Sequence, residues 1–167
     1  MKKAQVVAGL NAVTGDEGAG KTRFLRQLCE EHHDAFWLDL RLPEHDELTP
    51  EAVWDQLKNR WANWDQQLCS DLCHALAFYD HLGKQLFMLS AGSRRKVALI
   101  ALLSSGAQMT CLDQPFAALD QASIATLCDF LNDMSDHPSR SWVVADYEAH
   151  PQIHWKQVIS LDPTSMK

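Results

Sequence analysis

Short apolar runs of strand length alternate along this chain with longer stretches whose apolar positions recur every three or four residues. The runs lie at 5–13, broken near Gly9, and at 35–40, 109–112, 141–146 and 157–161. Helical periodicity marks the stretch ending near Cys29, where Phe24, Leu25 and Leu28 share a face, and then 53–81, 91–105 and 121–134. Within 53–81, interruptions are expected near Asn63 and Ser70. Thr49-Pro50-Glu51 is a helix start, with an N-cap, a proline in the first helical position and an acid in the first turn. Ser90 caps the helix that begins at Ala91. Strands alternating with helices predict an α/β fold: a mostly parallel sheet flanked by helices, with an all-helical insertion at about 43–105.

At 167 residues the chain is long enough for one domain with a real core. The longest unbroken apolar stretch, 97–103, falls far below the roughly 20 residues that span a bilayer. Met1-Lys2-Lys3 followed by Ala4 to Val7 reads as the approach to a strand rather than a secretion signal, because the apolar part is brief. A net charge of −7 with scattered Lys and Arg leaves no basic face for a phosphodiester backbone, so no nucleic-acid partner is expected. Five cysteines at irregular spacing imply no disulfide framework and fit a reducing cytosol. Cys69, Cys73, His74 and His81 fall at helical spacing, which ordinary packing explains more simply than a metal clamp.

One segment carries chemistry on its face. Gly15-Asp16-Glu17-Gly18-Ala19-Gly20-Lys21-Thr22 matches G-x-x-x-x-G-K-[ST], the phosphate-binding P-loop or Walker A motif. Wrapping a triphosphate in main-chain N–H groups demands glycine where a side chain would block approach. The helix that follows adds unpaired donors. Lys21 is expected to reach the β- and γ-phosphates and Thr22 to ligate Mg²⁺. Asp113, leaving the apolar run at 109–112, would hold the same ion through water. Ser90 with the N–H groups of Ala91, Gly92 and Ser93 forms a second anion site at a helix N-terminus.

Leu89-Ser90-Ala91-Gly92-Ser93 and, 24 residues after Leu89, Asp113-Gln114-Pro115-Phe116 with Ala118-Leu119-Asp120, follow the P-loop in order. This run, LSAGSRRKVALIALL through CLDQPFAALD, resembles the ATP-binding cassette (ABC) ATPases over roughly 10–161. The segments match that family's signature loop, Walker B strand and D-loop. The short ATPases of haem-exporter and cytochrome c biogenesis systems are the nearest in character. The resemblance implies a P-loop NTPase fold, Mg·ATP as ligand, and a homo- or heterodimer with another ABC ATPase subunit. In that dimer Ser90, Gly92 and Asp120 help complete the opposing chain's nucleotide site. It further implies a separate membrane permease as partner, and a place on the cytoplasmic face of the inner membrane. With 14 positions before Gly15, a reduced antiparallel β-subdomain and weak base selectivity are expected.

The chain also departs from the family pattern. Gln114 stands where a catalytic glutamate polarises water; an amide orients water but cannot take its proton, so turnover should be slow or absent. By register Tyr147 takes the place of the switch histidine, with one phenolic donor instead of imidazole. The glutamine loop has only Asp39 or Leu40 as counterpart. Ala91 and Ser93 replace the usual glycine and glutamine. An ATP-dependent switch without hydrolysis is therefore the alternative to a transporter ATPase. Trp54, Trp61 and Trp64 are either core or an exposed dock in the groove that receives a permease helix in this family.

Overall fold

The computed structural model describes residues 4–162. The chain divides into two compact units, one of Met1–Trp37, Gln108–Pro115 and Leu127–Lys167, the other of Leu38–Ala107 and Phe116–Thr126.

The first unit is built on a five-stranded parallel sheet. Its strands are β1 (Gly9–Thr14), β2 (Ala35–Phe36), β3 (Met109–Asp113), β4 (Ser141–Asp146) and β5 (Gln157–Ser160), in the order β2-β3-β4-β1-β5. Thr14 pairs with both Asp146 and Ser160, and Asp113 with Ala145, so parallel strands bring these carboxyl ends to one edge. Open α/β sheets place ligands at that edge. Helix α1 (Lys21–Glu31) buries Leu25 and Leu28 with Val13, Cys111, Val143 and Ala145. The Cys111 thiol is pushed well above its ordinary range by the neighbouring Cys29 thiol and by burial, which suits an inert core residue.

Two strands are shorter than their apolar runs. β1 begins only at Gly9, which sits at φ +90°, because the buried Asn11 side chain takes over the preceding backbone: its Oδ1 accepts from Val7 N–H at 3.0 Å and its Nδ2 donates to Val7 O at 2.8 Å. β2 lies at the sheet edge and pairs only with the start of β3. The chain then turns away, with Trp37 beneath the Arg26 guanidinium, 5.0 Å from the ring centre.

The second unit is helical: α2 (Pro50–Arg60), α3 (Gln66–Ala75) and α4 (Ala91–Ser104). Thr49 caps α2 by accepting from Ala52 N–H, and Asp65 caps α3 by accepting from Leu68 N–H. The interruption expected near Asn63 is present, between α2 and α3. The one expected at Ser70 is not: Ser70 lies inside α3 with its hydroxyl toward Tyr79, where a serine costs a helix little. The helix stops instead at Leu76, before Ala77 at φ +52°. A fifth helix, α5 (Gln121–Asp133), contributes residues to both units.

Trp54 and Trp61 are buried, and Trp54 Nε1 donates to Val97 O at 3.2 Å. They are core, so the idea of an exposed indole dock at these positions is withdrawn. The apolar side chains left exposed in this unit are Leu42, Tyr79, Phe87 and Met88. The histidines do not join Cys69 and Cys73: His74 stacks on Tyr79 with ring centres 4.0 Å apart, and His81 faces Phe78. Among the described residues no group of three metal-ligating side chains forms, and no helix is long and apolar enough to cross a membrane.

Candidate nucleotide-binding site

The loop from Gly15 to Gly20 joins β1 to α1 and is shaped by its glycines. Gly18 and Gly20 lie at φ +78° and +94°, conformations in which a side chain is strained, and a Cβ at either would meet nothing within 4 Å. These two glycines therefore leave an open cradle. Gly15 differs, since a Cβ there would sit 2.7 Å from Ala19 Cβ, within the loop itself. Gly20 caps α1 without any side-chain acceptor, and the first turn of α1 has no acidic residue. Its leading N–H groups thus remain available to an anion.

Lys21 is buried, and its ammonium donates to Gly15 O and, at 2.8 Å, to Asp16 O. The face of the Tyr147 ring lies against it, 4.5 Å from Nζ to the ring centre. Thr22 Oγ1 donates to Asp113 Oδ2 at 2.6 Å. Two hard oxygen donors facing one another at the mouth of a phosphate loop suit Mg²⁺, which takes few protein ligands beside water and phosphate oxygens. Gln114 follows Asp113 in a left-handed conformation, φ +46°, with its N–H donated to Ala145 O at 2.8 Å. Non-glycine residues held in this region concentrate at functional sites.

The first unit therefore collects Gly15, Asp16, Glu17, Gly18, Ala19, Gly20, Lys21 and Thr22 with Asp113, Gln114 and Tyr147. One participant escaped sequence reasoning. Asp162, just past β5, accepts from Asp16 N–H at 3.0 Å and fastens the base of the loop. Nothing local in the sequence marks it, because its partner lies 146 residues away.

The second unit holds Ser90, Gly92 and Asp120 at the start of α4 and α5. Ser90 Oγ accepts from Ser93 N–H at 3.1 Å, the expected cap. A Cβ at Gly92 would lie 2.5 Å from Ala118 O, so this glycine admits the neighbouring loop, whose Ala118 is itself at φ +61°. Asp120 Oδ1 accepts from Ser123 N–H at 2.7 Å, and this bond holds its carboxyl below the ordinary value. Lys96 reaches Asp120 at 3.7 Å and donates to Leu76 O at 2.8 Å. The glutamine-loop counterparts are engaged elsewhere: Asp39 pairs with Arg41 at 2.9 Å, and Leu40 O accepts from Arg94, which also reaches Asp46 at 2.8 Å.

No protein-family model matches the chain. It is 31% identical over 158 residues to the cytochrome c biogenesis ATP-binding export protein CcmA of Pseudomonas syringae pv. tomato, covering 79% of this chain and 71% of the relative. Among solved structures it superposes on an ABC transporter ATP-binding protein of Pyrococcus furiosus with a TM-score of 0.71 at 18% identity, covering 92% of this chain and 84% of that one. A dimeric bacterial ABC transporter cassette gives 0.68 at 15% identity, covering 87% and 78%. At those identities the structures speak for the fold alone, and the sequence relative carries the family. The chain belongs to the ABC ATPases, in the family of the cytochrome c biogenesis ATP-binding export proteins.

Proposed function

We propose that this chain is the ATP-binding subunit of an ABC transporter, binding Mg·ATP and pairing with a second ATPase subunit to drive or gate a separate membrane permease. One observation carries the reading. Lys21, Thr22 and Asp113 are gathered beside a glycine loop whose Gly18 and Gly20 face open space among the described residues. Lys21 brings the positive charge, and the open N–H groups of α1 supply further donors to the phosphates. Thr22 and Asp113 hold Mg²⁺, which when bound screens the charge of the β- and γ-phosphates.

Ser90 and Gly92 present the start of α4 to the nucleotide of an opposing subunit, so ATP binding favours the closed pair. Gln114 orients water without deprotonating it, and hydrolysis is slow. Permease docking falls to the exposed Leu42, Phe87 and Met88, since Phe87 N–H donates to Asp46 O and joins the 42–48 and 85–88 segments. The subunit sits on the cytoplasmic face of the inner membrane through that partner.

Gln114 also supports a second reading, an ATP switch that closes a dimer on a soluble partner without turnover. Calorimetric titration of Mg·ATP into the wild-type chain and Lys21→Ala tests the common core: clear binding that Lys21→Ala weakens about 10- to 100-fold is expected, and no heat in folded wild type would end both readings. Single-turnover hydrolysis with Gln114→Glu then separates them. Slow turnover already present in wild type and raised by the reversion favours the transporter ATPase, a wild type silent before the reversion favours the switch, and no gain from the reversion would remove this account of Gln114. Co-purification of a polytopic protein from membranes in the presence of Mg·ATP would identify the partner class.

A further inference from the structure

We propose that Tyr147 is a positioning residue for Lys21 that acts through the face of its ring: it competes with a phosphate oxygen for the remaining donor of the ammonium. This deepens the nucleotide-binding reading and rests on it. An ammonium group has three N–H donors. In Lys21 two are spent on the carbonyls of Gly15 and Asp16, leaving one for a ligand. The Tyr147 ring lies over that ammonium at 4.5 Å, within the range of a cation–π contact. What Tyr147 offers Lys21 is thus its π-face, whereas a residue in the histidine's role would offer a polar hydrogen to the γ-phosphate.

The placement suits a displaceable group. Tyr147 follows β4 directly and is 52% exposed, so the ring can swing into solvent without opening the core. Lys21, by contrast, is only 6% exposed and is held at both carbonyls. When phosphate arrives, the mobile partner gives way and the lysine stays. Binding energy is spent on removing the ring, which otherwise covers the buried Lys21 ammonium. The aromatic face matters and the hydroxyl does not, which sets this account apart from a tyrosine standing in for histidine.

The test compares Tyr147→Phe, Tyr147→Leu and Tyr147→Ala in the whole chain, with two measurements. Calorimetric titration with Mg·ATP reads competition with phosphate. The rate of Lys21 acetylation by an amine-reactive ester, followed by peptide mass spectrometry without nucleotide, reads cover of the ammonium. Tyr147→Phe should match wild type within about twofold in both. Tyr147→Leu, which keeps bulk without a π-face, and Tyr147→Ala should each bind Mg·ATP about two- to fivefold tighter and acetylate several-fold faster. Equal weakening in Phe and Ala variants would assign the role to the hydroxyl and overturn the proposal. Weaker binding in Leu and Ala alone would mean the ring stays on the lysine with nucleotide bound, and also overturns it, as does an unchanged acetylation rate. Should no variant bind nucleotide while acetylation changes as expected, the nucleotide reading fails and the ring contact stands.

Discussion

The two units each begin a helix with a residue suited to anions, yet they treat that helix start in opposite ways. At α1 the capping position is Gly20, with no side-chain acceptor, and the donors beyond it are left open. At α4 the cap is Ser90, whose hydroxyl already accepts from Ser93 N–H. The glycines differ as well. Gly18 and Gly20 are required by backbone angle in open space, whereas Gly92 has an ordinary φ and is required by the carbonyl of Ala118. The α1 start has no side-chain cap, whereas at α4 one donor is capped by Ser90 and Gly92 is fitted against Ala118.

That contrast can be broken or sharpened by experiment. The largest change belongs to the first unit: Gln114→Glu should raise single-turnover hydrolysis by about 10²-fold or more, the low end of general-base assistance. Next, Lys21→Ala should weaken Mg·ATP binding about 10- to 100-fold by calorimetry, the worth of a lost charge-assisted bond. In the second unit, Gly92→Ala should cost about 1–3 kcal/mol through collision with Ala118 O and lower Tm, with Mg·ATP affinity of the monomer unchanged. Gly20→Ala should differ from it in affinity. It strains the backbone by about 1–2 kcal/mol and impairs nucleotide binding too. Equal effects of the two alanines on affinity would dissolve the distinction.

The smallest effect concerns Asp120. The Ser123 N–H depresses its folded-state pKa, so its contribution to stability is present above the ordinary carboxylate value and fades as pH falls through the lowered one. Tm measured from pH 6 to pH 3 should therefore decline slightly less steeply in Asp120→Ala than in wild type. The group is exposed, and the difference will be small.

Much of this was readable from the residues because local rules governed them. The P-loop declares itself by glycine spacing, Thr49 and Ser90 by capping chemistry, and β3 and β4 by apolar runs whose middle positions are buried. What escaped depended on distant partners. Asn11 looks like any polar residue in a strand, yet it ends β1 at Gly9 by binding Val7. Ser70 looked like a break and faces outward. Register located Tyr147, but only the fold shows that its ring rather than its hydroxyl meets Lys21. The left-handed turn at Gln114 goes with a hydrogen bond from its N–H to the Ala145 carbonyl on β4, a partner remote in sequence.

The hydrogen bond from Thr22 to Asp113 spans 91 positions of chain, and α2, α3 and α4 are all made within that excursion. Closing so long a loop is entropically slow relative to the local helices it contains. Competence for magnesium nucleotide should thus mature late during folding, after helical content is largely in place. A ligand that prefers the closed pair of oxygens would then act as a clasp on the finished molecule, raising resistance to unfolding more than it hastens assembly.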